Sequence, residues 1–127
     1  MRRGWAKYAV ERLAMLRRWR ELAFIVAGAC REVLGDGCME VYVVGGAAEG
    51  RLTVLSDIDV VVIARDPPRG PELLDLVERV MVRAFEKGLP DDAPIDLKIM
   101  GRREFEELKG RIYRKTVKIE FPRPHDS

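Results

Sequence analysis

The chain has 127 residues, enough for one ordinary domain and too few for two. Its 47% apolar and 35% charged residues place it among soluble globular proteins, and no apolar run approaches the ~20 residues that cross a bilayer. With 23 basic against 21 acidic residues the net charge is only +2, which argues against a dedicated nucleic-acid binder working through a wide basic face.

The amino terminus (Met1 to Lys7) is basic but lacks an apolar stretch leading to a cleavage site, so no secretory signal is read and a cytoplasmic location is expected. The basic residues are mostly Arg, and neither Asn nor Gln occurs. Heat selects such compositions, so a thermophilic source is expected. Cys30 and Cys38 have no histidine nearby, and the lone His125 falls in a tail, 122–127, expected to fray. That set cannot furnish a zinc site. Two reduced, packed thiols are the expectation.

In chain order, a helical segment is expected over about 5–34, from Leu13, Leu16, Leu22, Val26, Val33 and Leu34 at helical spacings. Gly28 is expected to bend or divide it, and Gly35-Asp36-Gly37 to end it. A catalytic core would follow over about 40–121. The β-branched run from Glu40 to Val44 predicts a buried strand that stops at Gly45-Gly46. A second strand over 57–63 is apolar on both faces apart from Asp57 and Asp59, which suits a central position. A helix beginning at Pro71 carries a stripe of Leu73, Leu74, Val77, Val80, Met81, Ala84 and Phe85. Alternation from Pro94 to Met100 predicts a strand with Asp96 and Lys98 on one face and Ile95, Leu97 and Ile99 on the other. A helix over about 102–113 would bury Phe105, Leu108 and Ile112, and Val117, Ile119 and Phe121 suit an edge strand or arm. Helices alternate with strands in a single domain over 1–127, so one sheet backed by helices is expected.

Most of the chemical signal lies between Gly45 and Asp59. Residues i and i+2 of a strand share a face, so Asp57 and Asp59 present two carboxylates side by side. Burying such a pair demands compensating cations, either arginines or bound metal ions. Hard oxygen donors select magnesium or manganese, and a pair of such ions is a device for phosphoryl transfer. Asp-x-Asp alone equally fits a strand end where one acid caps a turn and the other is salt-bridged. Gly45-Gly46 alone equally fits an ordinary turn. Together, a bare backbone at one strand end and a carboxylate pair ten residues later describe a site for a nucleoside triphosphate with its metals.

This stretch resembles the nucleotidyltransferases of the DNA polymerase β superfamily, most closely the minimal nucleotidyltransferases. Gly45, then Ala48, Gly50 and Ser56-Asp57-Ile58-Asp59 match their pattern without a gap. The resemblance implies an α+β fold, a small mixed sheet backed by helices in two layers. It also implies transfer of a nucleoside monophosphate, AMP from ATP, to an acceptor hydroxyl with loss of pyrophosphate. Asp57, Asp59 and Asp96 would be catalytic and hold two Mg2+ (or Mn2+) ions. Gly45, Gly46, Ser56 and Lys98 would meet the nucleotide.

Two departures stand out. Gly46 replaces the family serine that holds the terminal phosphates, and Ala47 and Glu49 stand where relatives carry arginines. Lys98 would restore part of the lost charge, and Glu49 would repel phosphate unless it pairs with Arg51. Little chain follows Asp96, so a bare catalytic core is expected, its acceptor gripped by a second copy or another protein. By resemblance that partner is a small helical HEPN-type protein in a toxin–antitoxin pair, adenylylated by this chain or neutralised by contact alone. The N-terminal helix, with Trp5, Tyr8 and Trp19, would offer a partner surface.

Overall fold

Three runs of branched aliphatic residues meet at the centre of the molecule. In the computed structural model, which describes residues 2–123, they join a short fourth strand in one sheet of order β3-β2-β1-β4. The strands are β1 (Cys38–Val44), β2 (Ile58–Ala64), β3 (Ile95–Met100) and β4 (Val117–Ile119). β1 runs antiparallel to β2 and β4, and β2 runs parallel to β3. The sheet is therefore mixed, as expected, with β2 internal and β4 at an edge. Around it lie α1 (Arg2–Arg17), α2 (Trp19–Leu34), α3 (Gly45–Glu49), α4 (Pro71–Glu86) and α5 (Arg102–Lys109). No helix among the described residues is long and apolar enough to cross a membrane.

The two faces of the sheet are built differently. Ile58, Val60 and Val62 of β2, with Val41 and Val43 of β1, meet Leu22, Val26 and Val80 from α2 and α4 in the main core. Residues one step along each strand face the other way. There Val44, Val61, Ile63 and Met100 pack under Phe105 of α5. Tyr42 stacks on Phe105 with ring centroids 4.8 Å apart, and Tyr113 leans on its other side at 6.0 Å. The β2–β3 register sets Asp59 beside Asp96, Val61 beside Lys98 and Ile63 beside Met100. The α5 face thus runs from apolar at one end to acidic at the other.

Several local expectations need correction. The N-terminal helical segment is two helices, and it breaks at Arg18 instead of Gly28. Both Leu16 and Trp19 flank the break and are buried, so the turn lets α2 lie on the sheet while α1 departs. Gly28 sits inside an unbroken α2, where a Cβ would come 3.0 Å from Pro122 Cγ. Its smallness admits the arm after β4, so Pro122 is packed, not frayed; His125 lies outside the described residues. On α4 the buried residues are Leu76, Val80 and Ala84, whereas Leu74 and Phe85 of the expected stripe are exposed. α5 stops at Lys109, and Ile112, expected in the core, is 61% exposed. β2 begins one residue late, leaving Asp57 just outside the strand. Cys30 and Cys38 are unbridged and buried, as expected.

Among the described residues Phe105 is the one helical side chain fully buried on the second face. Phe105→Ala is expected to cost about 3–5 kcal/mol of folding free energy, measured by denaturant titration.

Candidate active site

β1 ends where its partner strand turns acidic. Val44 pairs with Asp59, and the next residue, Gly45, opens α3. Gly45 has φ +69, and a Cβ there would collide with Asp59 Oδ2. Only glycine satisfies both the left-handed backbone and the close approach of the carboxylate. Gly46 is less constrained: a Cβ would meet Arg51 O at 3.4 Å and Ser56 Oγ at 3.9 Å, both ordinary contacts.

Three carboxylates face this strand end. Asp59 and Asp96 are register neighbours on parallel strands, a spacing of about 4.8 Å between chains. Asp57 precedes them on the loop entering β2. Burial pushes the Asp59 carboxyl above its ordinary range; Lys98 pulls it back, while Asp96 and Asp57 push it further up. The sequence-derived trio therefore shares one electrostatic neighbourhood.

Cations already hold two of the three. Lys98 Nζ lies 2.8 Å from Asp96 Oδ2, and this contact raises the lysine above its usual range. Arg12 of α1 donates to the carbonyls of Val54 (2.6 Å) and Ser56 (2.8 Å) and to Asp57 Oδ1 (2.9 Å). Asp57 thus realises the strand-end salt bridge that Asp-x-Asp alone also allows. As they stand, no three Asp, Glu, His or Cys side chains among the described residues are arranged to hold a metal ion. The donor set itself, three carboxylates with Asp59 short of a cation, is the hard-oxygen chemistry that divalent ions select. Arg12 takes Asp57 through Oδ1 and Lys98 takes Asp96 through Oδ2, so an ion would compete with these two cations for the acids.

The remaining predicted residues fall close by. Ser56 Oγ accepts from the Thr53 amide at 2.8 Å, so its hydroxyl shapes the turn behind Gly46. Glu49 pairs with Arg51, Nη2 to Oε1 at 3.1 Å, which cancels the expected repulsion of phosphate. A cleft of about 550 Å³ opens over Asp59 and Lys98. α3 and its loop contribute Gly45, Glu49 and Arg51 to it; α5 and the following turn contribute Leu108, Ile112 and Tyr113. Burial holds the Tyr113 phenol above its usual range, partly offset by Lys98. Arg12 and Tyr113 are site residues that the sequence does not single out. Arg12 is one arginine of many on a polar helix face, more than 40 residues from its partners, and no local pattern marks it.

A carboxyl with a raised folded-state pKa binds its proton more tightly folded than unfolded. Its stability contribution is full below the ordinary carboxylate range and is lost as pH rises through the raised value. In chelator-treated protein, Asp59→Asn is expected to melt a few degrees above wild type at neutral pH, with the gap closing toward pH ~4. Thermal melts across pH check this.

Comparison with known proteins bears on the family and the fold. The family described as "Nucleotidyltransferase domain" matches residues 28–122, which is most of the chain and contains Gly45 through Asp96. No curated protein gives a significant match. Among solved structures, a protein of Sulfolobus solfataricus provisionally assigned as a nucleotidyltransferase is similar, with a TM-score of 0.52 and 19% sequence identity. The similarity covers 94% of this chain and 91% of that one, and it shows the same fold. The chain belongs to the nucleotidyltransferase domain family and is a minimal nucleotidyltransferase of the DNA polymerase β-like superfamily.

Proposed function

We propose that this chain moves AMP from ATP onto a hydroxyl of a partner protein, releasing pyrophosphate. One observation carries the reading: Asp59 and Asp96 stand side by side at a strand end whose neighbouring backbone, Gly45, carries no side chain. The missing side chain leaves room for Asp59 Oδ2 to lie against the strand end, so a cation on that carboxylate would bring phosphate oxygens to the same spot.

In this reading Asp57 and Asp59 hold two magnesium (or manganese) ions and Asp96 completes one shell. When bound, such ions neutralise charge on the attacking and leaving oxygens. The protein's own work is positioning and proton transfer. The acceptor oxygen bonds to the α-phosphorus as the bond to the pyrophosphate oxygen breaks, and Asp96 receives the hydroxyl proton. Lys98 lies on the same strand face, where its charge favours the nucleotide once Asp96 is released. Ser56 acts indirectly, by holding the turn that faces Gly46.

A second reading is favoured by the cation pairs. Arg12 on Asp57 and Lys98 on Asp96 already offset two of the acids. With Gly46 in place of the phosphate-holding serine, they suit a protein that keeps the fold but neutralises a HEPN-type partner by contact alone.

Incubation with α-labelled ATP, magnesium and a HEPN-type candidate partner protein separates the two. Label on the partner, lost in Asp57→Asn and Asp59→Asn, supports transfer; tight complex formation without label in wild type supports contact alone. Asp96→Asn is expected to suppress turnover far more than nucleotide binding. In a separate binding measurement Gly46→Ser, which the backbone accommodates, is expected to tighten ATP binding about tenfold through a charge-assisted hydrogen bond. An unchanged Kd in titration calorimetry would count against a phosphate at this turn.

A further inference from the structure

One wall of the cleft has no part in the chemistry described. Ile112, 61% exposed, is a large aliphatic side chain turned toward a site floored by Asp59 and Lys98. Leu108, half-buried, and the ring of Tyr113 line the same cleft beside it. Together these side chains give the cleft an apolar side beside its charged floor.

This wall is preformed. The amides of Arg111, Ile112 and Tyr113 all donate to the carbonyl of Leu108, at 3.1, 2.8 and 3.0 Å. Three donors on one acceptor coil the chain tightly after α5 and fix where Ile112 and Tyr113 stand. Tyr113 is braced from behind by Phe105, itself fully buried. A rigid aromatic and aliphatic surface that costs little ordering entropy suits a flat, weakly polar ligand group.

The cleft therefore has two chemically distinct ends. Lys98, with a cation on Asp59, would suit phosphates; Leu108, Ile112 and Tyr113, with Glu104 alongside, suit a ring system. Its volume, about 550 Å³, falls within the range of small-molecule sites. Building on the nucleotide reading above, we infer that the Leu108–Tyr113 turn is the nucleoside wall, seating the base of the bound triphosphate against Ile112 and Tyr113.

Calorimetric binding of two probes, ATP and inorganic tripolyphosphate, each with magnesium, tests this on the full chain. Ile112→Ser, a neutral change at an exposed position, is expected to fold normally; Tyr113→Ala serves as the second variant, with a melt to confirm that each is folded. Each substitution is expected to weaken ATP about tenfold, in line with one lost stacking contact at Tyr113 or one lost apolar contact at Ile112. Tripolyphosphate should shift less than twofold in both. If ATP and tripolyphosphate weaken together, or ATP is unmoved in both variants, the wall is not the base site although nucleotide binding stands. If wild type binds neither probe, the nucleotide reading itself fails and takes this inference with it.

Discussion

Two ionised carboxylates side by side at the end of an apolar strand repel each other, and the surrounding structure answers that repulsion. Asp59 and Asp96 have no sequence neighbour in common; parallel pairing of β2 with β3 is what brings them together. Lys98 projects from the same strand face and holds Asp96. Arg12 reaches in from a distant helix to hold Asp57. Asp59 is left against glycine backbone, half out of water and with its proton affinity raised. An arrangement this costly in the absence of a ligand is typical of sites that bind cations or phosphates.

The α5 face of the sheet shows how a chain of this size makes both a core and a site from one surface. At the Ile63 and Met100 end, Phe105 seals the sheet between two tyrosine rings. Two residues back along each strand, the side chains become Val61 and Lys98, and two further back Asp59 and Asp96. The last turn of α5 and the coil after it span this change of character. Glu40, on the same face of β1, ties Arg102 at the start of α5 and Lys118 of β4 to the sheet. Apolar packing thus anchors the helix that flanks the polar cleft.

Much of this is legible in the sequence where the causes are local. Alternation and branching place β1, β2 and β3 nearly to the residue, and the spacing from Gly45 to Asp59 delivers both sides of the site. Proline at the first position of α4 and glycine after β1 mark their elements because those residues constrain the backbone directly. What fails to be legible is set by tertiary partners. The break at Arg18 depends on burying both Leu16 and Trp19. Leu74 and Phe85 read as core because helical spacing says that a face exists, not which of several apolar residues it centres on. Ile112 reads as buried because nothing in its own stretch tells of a coil closed on the Leu108 carbonyl. The Arg12 clamp, across 42 to 45 positions, leaves no periodic trace.

That clamp has a mechanical meaning. Beyond the Arg18 turn, α1 stands out from the sheet with Trp5, Tyr8 and Val10 turned to water, yet through one guanidinium it is guyed to both carbonyls and the acid of the 54–57 loop. Whatever takes hold of that outlying rod, or shears it away, pulls on the tether that sets where Asp57 hangs. Trimming the helix would not be cosmetic surgery: it would slacken a rope whose far end is knotted to the loop that carries Asp57.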